Sequence, residues 1–271
     1  MKRLNSGPPQ TGLLVSGDVA LVDSGDEAVS RLVRTASTLF ATPDFKPTAL
    51  VGGLAVTIRL ATVHRATNDV DTVSEGDGPR NLALQYLSDA GAAASNRIEI
   101  NGVNVDILAT WPLPPSMDEL PDSDLDRLFV LGHRWALDSA TPVAVDVLSA
   151  DGFTVAESGL LIVATTPALL ACKLHALADR RGPATPKRES DALDVVRLIR
   201  DLIRSDQQID SLVAAPFDLA ELVTTQVERW FIDEALRTAR LAGAATAGTE
   251  RFDPGDLSTL GRLLINRLAS P

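Results

Sequence analysis

Aromatic residues make up only 4% of this chain, and its single cysteine is Cys172. With so few rings, the core must rest on Ala, Val, Leu and Ile. One cysteine excludes an intramolecular disulfide, which fits a reducing compartment. Basic residues are also short, 25 Lys and Arg against 36 Asp and Glu for a net charge of −11. A uniformly basic nucleic-acid binder is thereby excluded, because phosphate neutralisation needs cations in excess where contact is made. Long hydrophobic runs are missing as well. The most apolar window, 160–178, is interrupted by Thr165-Thr166-Pro167 and Lys173, so no membrane span is expected. The basic Met1-Lys2-Arg3 leads into Asn5-Ser6-Gly7-Pro8-Pro9-Gln10, not into the apolar run of a signal peptide. Gly and Pro, at 18 and 16, are too few for a collagen-like or low-complexity chain. The expectation is a soluble, cytoplasmic protein without membrane attachment.

What is present is a globular composition, 45% hydrophobic over 271 residues, a length that predicts two units or one with an appendage. Residues 1–25, rich in Gly, Pro, Ser and Asp, are expected to be loose or weakly paired. Val29, Leu32, Val33, Ala36 and Phe40 recur at helical spacing and predict a helix over 26–40. After the breaker at 43–47, Thr48-Ala49-Leu50-Val51 reads as a strand ended by Gly52-Gly53. A helix over 54–63 follows and carries Arg59 towards solvent or substrate. Residues 69–73 predict a strand and 79–90 a helix. Alternating segments 97–100 and 103–108 flank Asn101-Gly102, a strong hairpin signal.

A proline-rich acidic loop is expected over 112–126, with strands at 143–148 and 160–163. After Pro167 the texture becomes helical: two helices in 168–204 separated by 181–186, then helices near 217–242 and 256–268. The division expected is a loose N-terminal segment (1–25), a mixed α/β domain (26–164) and a helical domain (165–271) that completes the active site.

Three features combine into chemistry: Gly52-Gly53 after a strand, Asp69-x-Asp71 on a strand, and Asp106 in a later hairpin strand. Residues i and i+2 of a strand share a face, so Asp69 and Asp71 project together while Val70 faces the core. Two like charges side by side repel unless a cation neutralises them. Mg²⁺ takes hard oxygen ligands and is commonly held by one or two carboxylates plus substrate phosphates. A third carboxylate on a neighbouring strand would let two ions share the cluster. Asp106 is preferred for that place, because its hairpin follows soon after the Asp pair; Asp146, with similar local alternation, competes. A Gly pair at a helix start lets backbone N–H groups approach a polyphosphate. No Gly-Lys-Ser/Thr follows, so this is not a Walker A loop.

This order of motifs resembles the nucleotidyltransferase superfamily and, more narrowly, the AbiEii-type nucleotidyltransferase toxins. Leu50-Val51-Gly52-Gly53 is similar to the family's first motif, and Arg65-Ala66-Thr67-Asn68-Asp69-Val70-Asp71 to its Arg-x-Thr-x-Asp-hydrophobic-Asp. Val105-Asp106-Ile107-Leu108 resembles the strand of the third carboxylate. Thr166 to Leu174 resembles the helix that bears the family's lysine, here Lys173, and 187–194 its last motif, with Asp191 and Asp194. The lysine usual just before that Asp pair is Ser190 here, preceded by Lys187 and Arg188.

The resemblance implies an α+β fold, a polymerase-beta-like mixed sheet with flanking helices, followed by a C-terminal helical domain. It implies transfer of a nucleoside monophosphate from an NTP to an acceptor hydroxyl, a tRNA or other RNA 3′ end, by a toxin with a cognate antitoxin. Asp69, Asp71 and Asp106 would hold Mg²⁺ or Mn²⁺. Gly52, Gly53, Arg65 and Lys173 would bind the nucleotide. Asp191 would act as general base, or Asp191 and Asp194 would pair structurally with Lys173, Arg188 or Arg197. Arg65 could alternatively anchor the Asp-bearing strand.

Other readings stay open: nucleotidylation of an aminoglycoside-like small molecule or of a protein side chain, or a non-catalytic nucleotide-binding or interaction protein. His64, His133 and His175 lack metal-ligand spacing, and a zinc site is not expected. Cys172 reads as core. Between Lys173 and Arg204, eight basic residues face five acidic ones, a local positive stripe suited to a polyanionic acceptor.

Overall fold

Short Val- and Ile-rich segments bounded by Gly, Asn and Pro become strands, because branched side chains pack well on a pleated, half-buried surface. The computed structural model describes residues 18–23, 25–41, 48–76, 97–180 and 185–270. Among them run β1 (Val19–Val22), β2 (Thr48–Val51), β3 (Asp69–Glu75), β4 (Arg97–Ile100), β5 (Val103–Thr110), β6 (Thr141–Leu148) and β7 (Val155–Val163). They form one mixed sheet in the order β1-β6-β7-β2-β3-β5-β4. β3 lies between β2, to which it is antiparallel, and β5, to which it is parallel. In the β4–β5 hairpin Asn101 and Gly102 take φ of 53° and 72°, the left-handed values that a two-residue turn between twisted strands requires.

The described helices are α1 (Ala28–Phe40), α2 (Gly52–Arg59), α3 (Asp124–Asp138), α4 (Thr166–Asp179), α5 (Thr185–Leu202), α6 (Asp206–Val213), α7 (Leu219–Val227), α8 (Ala235–Ala245) and α9 (Pro254–Ala269). A single hydrophobic cluster runs from Leu50, Val70 and Ile107 of the sheet through Leu169 and Leu170 of α4 to Val223 and Leu260 of α7 and α9. Burial of this surface is the main favourable contribution to folding. Among the described residues no helix is long and apolar enough to cross a membrane.

Several expectations change. Within the stretch 1–25, expected to be loose, Val19–Val22 pair in parallel with Val145–Leu148, and Leu21 is buried. Four residues carry little local signal; their non-local partner decides. The stretch 112–126 is not all loop, because a 3-10 turn, Met117–Glu119, and the start of α3 lie inside it. The Ser123 hydroxyl accepts from the Asp126 N–H, and Asp124 and Asp126 sit in the first turn, where acidic groups complement the helix dipole. Ser205 caps α6 in the same way. The stretch 217–242 is interrupted by a π-helical turn, Glu228–Asp233, and the adjacent Trp230 and Phe231 are both fully buried there.

Arg59 does not point to solvent or substrate. Its Nε donates to the Ala164 carbonyl at 2.8 Å and its Nη2 to Thr141 Oγ1 at 2.7 Å, which ties the end of α2 to the β7–α4 junction. The expected helix over 79–90, the breaker at 43–47 and residues 181–184 of the separating segment 181–186 lie outside the described residues; 185 and 186 belong to α5.

Candidate active site

Asp69 and Asp71 leave one side of β3, while Val70 between them is fully buried. The parallel register sets Asp106 of β5 directly beside Asp71. One carboxylate oxygen from each of the three lies within 4.8 Å of the others. Asp146 is not part of this group. Its strand β6 is separated from β3 by β7 and β2, and its carboxylate accepts from Ser158 Oγ at 2.6 Å.

The cluster is short of positive charge. Burial, then the charge of Asp69, push the Asp71 carboxyl up to about 6; Asp106 adds to this, and Lys173 and Lys187 oppose it. Among the described residues, cations stand only at the edges. Lys187 Nζ is 3.6 Å from Asp69 Oδ2, and Arg97 donates two bonds to Asp106, at 2.5 and 2.6 Å. Three converging hard oxygens with an unmet demand for positive charge fit a divalent ion such as Mg²⁺ or Mn²⁺.

The two glycines are needed by their neighbours. Gly52 opens α2 with φ of 70°, and a Cβ there would lie 1.9 Å from Asp71 Oδ2. A Cβ on Gly53 would lie 2.6 Å from Arg65 Nη2 and 2.8 Å from Thr67 Oγ1. Side chains of the site therefore rest where those Cβ atoms would be.

Beside the carboxylates is a buried ionic network. Lys173 Nζ sits 2.8 Å from Asp191 Oδ1 and 2.9 Å from Asp194 Oδ2. Arg65 donates to both oxygens of Asp194, at 2.8 and 2.7 Å, and His64 Nε2 is 2.9 Å from Asp194 Oδ1. Arg180 Nε donates to Asp191 Oδ2 at 2.6 Å. Burial alone would lower the Lys173 ammonium, but Asp191 and Asp194 outweigh it and hold it above the ordinary lysine range. Burial would raise Asp194, but Lys173, Arg65 and His64 outweigh it and hold that carboxyl well below the usual range. Cys172 is buried, and burial pushes its thiol up to about 12, so it stays protonated and unreactive.

A polar cleft of about 80 Å³ is lined by Gly53, Arg65, Asp69, Asp71, Lys173 and Asp191, together with Thr67, Arg180, Lys187 and Ser190. Of the residues expected from the sequence, Asp106 joins through the carboxylate cluster and Gly52 lies against Asp71. Lys187, not Ser190, brings a cation towards Asp69. Arg180, His64 and Arg97 were missed as partners. Signals existed for two of them: Arg180 follows Lys173 by seven residues, two helical turns, and pairing outward from Asn101-Gly102 sets Arg97 opposite Asp106. The His64 contact, 130 residues apart in sequence, left none.

A sequence model of the family described as nucleotidyl transferase AbiEii toxin, of type IV toxin–antitoxin systems, matches residues 36–258. No curated protein matches the chain.

Proposed function

The chain belongs to the AbiEii nucleotidyl transferase toxin family, and from that premise we propose that it transfers a nucleoside monophosphate from an NTP to the 3′ hydroxyl of an RNA acceptor, a tRNA end, in the presence of Mg²⁺ or Mn²⁺. In this reaction the acceptor oxygen bonds to the α-phosphorus, the bond to pyrophosphate breaks, and the hydroxyl proton passes to solvent. The observation that carries the reading is the convergence of Asp69, Asp71 and Asp106 within 4.8 Å on adjacent strands. A divalent ion held by these oxygens would neutralise the triphosphate and lower the pKa of the attacking hydroxyl.

The chain's own cations supply the rest. Lys173 presents a permanently charged ammonium at the cleft, and its two carboxylate partners keep it in place. Arg65, locked on Asp194, holds the segment that leads into β3 and presents part of its guanidinium to the cleft. Gly53 at the start of α2 leaves room for Arg65 and Thr67 to close over it at the cleft. Asp191 enters as a positioning residue and not as general base, because both its oxygens are engaged by Lys173 and Arg180. Catalysis of this kind is mostly positioning and electrostatics. In the cell the activity would be restrained by a cognate antitoxin.

The test is incubation of the purified protein with α-labelled NTPs, a divalent ion and total RNA. Label enters RNA with the native chain, and transfer falls at least about 10³-fold, roughly 4 kcal/mol of barrier, in Asp69→Ala and Asp71→Ala. Transfer that survives in both variants sinks the assignment of the metal ligands. Label found only in protein or in small molecules redirects the acceptor.

A further inference from the structure

A second cleft, of about 280 Å³, shares no lining residue with the first. Thr62 and His64 line one side; Arg197, Arg200, Asp201 and Arg204 line the other. The two clefts follow one another along α5. On α5, Lys187, Ser190 and Asp191 line the first cleft, and Arg197, Asp201 and Arg204, continuing past the helix end, line the second. Steps of three and four residues keep all of these on one side of the helix.

The facing wall is the segment between α2 and β3. Thr62 and His64 face the second cleft, Arg65 and Thr67 the first. The segment therefore runs antiparallel to α5, and His64 and Arg65 clamp it to Asp194 at the boundary.

Part of the charge in this second stretch, that of Arg200 and Arg204, is not spent in ion pairs among the described residues. Arg197 pairs with Glu250, yet its Nε is buried without a hydrogen-bond partner. Arg200 is exposed and lies over the Phe252 ring at 5.6 Å. Arg204 is exposed and makes no side-chain hydrogen bond or ion pair among the described residues. Asp201 is the one carboxylate lining the cleft. Guanidinium forks match phosphate oxygens, and Arg is the residue suited to such recognition. From Arg197 to Arg204 is about 10 Å along a helical path, roughly three steps of a stacked strand at about 3.4 Å each. That is more than one phosphate needs, and the triphosphate has its own cations in the first cleft.

We propose that this arginine cleft seats the phosphodiester backbone of a polynucleotide acceptor, which lies along α5 with its terminal hydroxyl directed to the carboxylates. The inference rests on the nucleotidyl-transfer reading of the first cleft, and its test reads binding, not turnover.

The experiment is fluorescence anisotropy of a short 5′-labelled single-stranded oligoribonucleotide with the full chain, in chelator and without NTP, over a range of salt. Reversing Arg200→Glu and Arg204→Glu together should weaken binding at least tenfold and flatten the log–log salt slope by about 1.4, two contacts at about 0.7 each. Arg262→Glu, one such charge reversal on exposed α9 surface outside the cleft, should stay within about twofold on the same salt-dependent scale. Arg200→Lys with Arg204→Lys should keep most of the salt slope. If the Glu variants fail to fold by circular dichroism, the Gln pair gives the same reading. RNA affinity unchanged in the folded double variant, or lost equally in Arg262→Glu, overturns the proposal. So does a loss of calorimetric NTP binding with RNA binding intact, which would make the cleft a nucleotide subsite. Absence of label transfer by the native chain, with this RNA-binding pattern intact, would refute the transferase reading and leave the cleft standing.

Discussion

On β3 and β5 three carboxylates face one another with cations only at their edges, whereas on α4 and α5 two carboxylates are enclosed by Lys173, Arg65, Arg180 and His64. The contrast is sharpest between Asp71, half-buried, and Asp194, fully buried. Asp71 is pushed up to about 6, and Asp194 is held well below the ordinary range. Burial raises both. The neighbours decide the sign: like charges for Asp71, opposite charges for Asp194. One region could take up a cation, and the other already holds its lysine and arginine in position. The same residue type on neighbouring elements thus has opposite jobs.

The largest test of this contrast is Asp194→Ala. It takes from Arg65 its carboxylate and from Lys173 one of its two, and the expected loss is about 3–5 kcal/mol, measured from urea midpoints. Asp71→Ala should cost far less, since it relieves repulsion. Equal losses in the two variants would erase the distinction. Next comes Gly52→Ala, whose Cβ would occupy the place of Asp71 Oδ2. Displacing a ligand's support typically costs about 10–100-fold in metal affinity, and a Mn²⁺ titration followed by EPR should show a loss of that order. Native-like affinity in a folded variant would mean that Asp71 is not held against Gly52.

The third test is the pH profile of the metal-free protein. Because the folded Asp71 carboxyl titrates near 6, above its ordinary value of 3.8, the folded state binds more protons between those values. Its contribution to stability is present below about 4 and is lost as pH rises through about 6. Asp71→Asn should flatten this fall in thermal melts, and saturating Mn²⁺ should raise the melting temperature more at neutral pH than at pH 5. A metal-free profile that rises through this window in the native chain but not in Asp71→Asn would reverse the assignment.

The smallest effect is expected from Arg97→Ala. Arg97 is half exposed and holds Asp106, so its loss should change stability by no more than about 1 kcal/mol. Freeing Asp106 should tighten Mn²⁺ binding severalfold. Weaker binding would show that Arg97 orients a ligand and does not compete with the ion.

Much of the site was readable from residue order. Asp69 and Asp71 share a face because a strand has period two, and Asn101-Gly102 announces the hairpin that carries Asp106. Local patterns could not choose between Asp106 and Asp146. Both lie in alternating segments, and only strand order sets one beside Asp71 and the other three strands away. Arg59 and Arg65 sit in similar local surroundings, yet one binds strand-end carbonyls and the other a buried carboxylate. Nothing within a few residues of either distinguishes those fates. β1 and the π-helical turn at Trp230 were hidden for the same reason, since both depend on what packs against them.

A scarcity of aromatics and basic residues, with one cysteine, excluded disulfide scaffolds and uniformly basic binders before any element was drawn. Periodicity and turn chemistry are local, so the chain alone specified the strands other than β1, the hairpin and the paired carboxylates. Charge compensation is not local. Whether an aspartate waits for a cation or already holds one, and where the positive stripe on α5 opens into a cleft, depends on groups separated by up to 130 residues. Coulombic attraction and desolvation act through space, and only the tertiary structure brought those groups together.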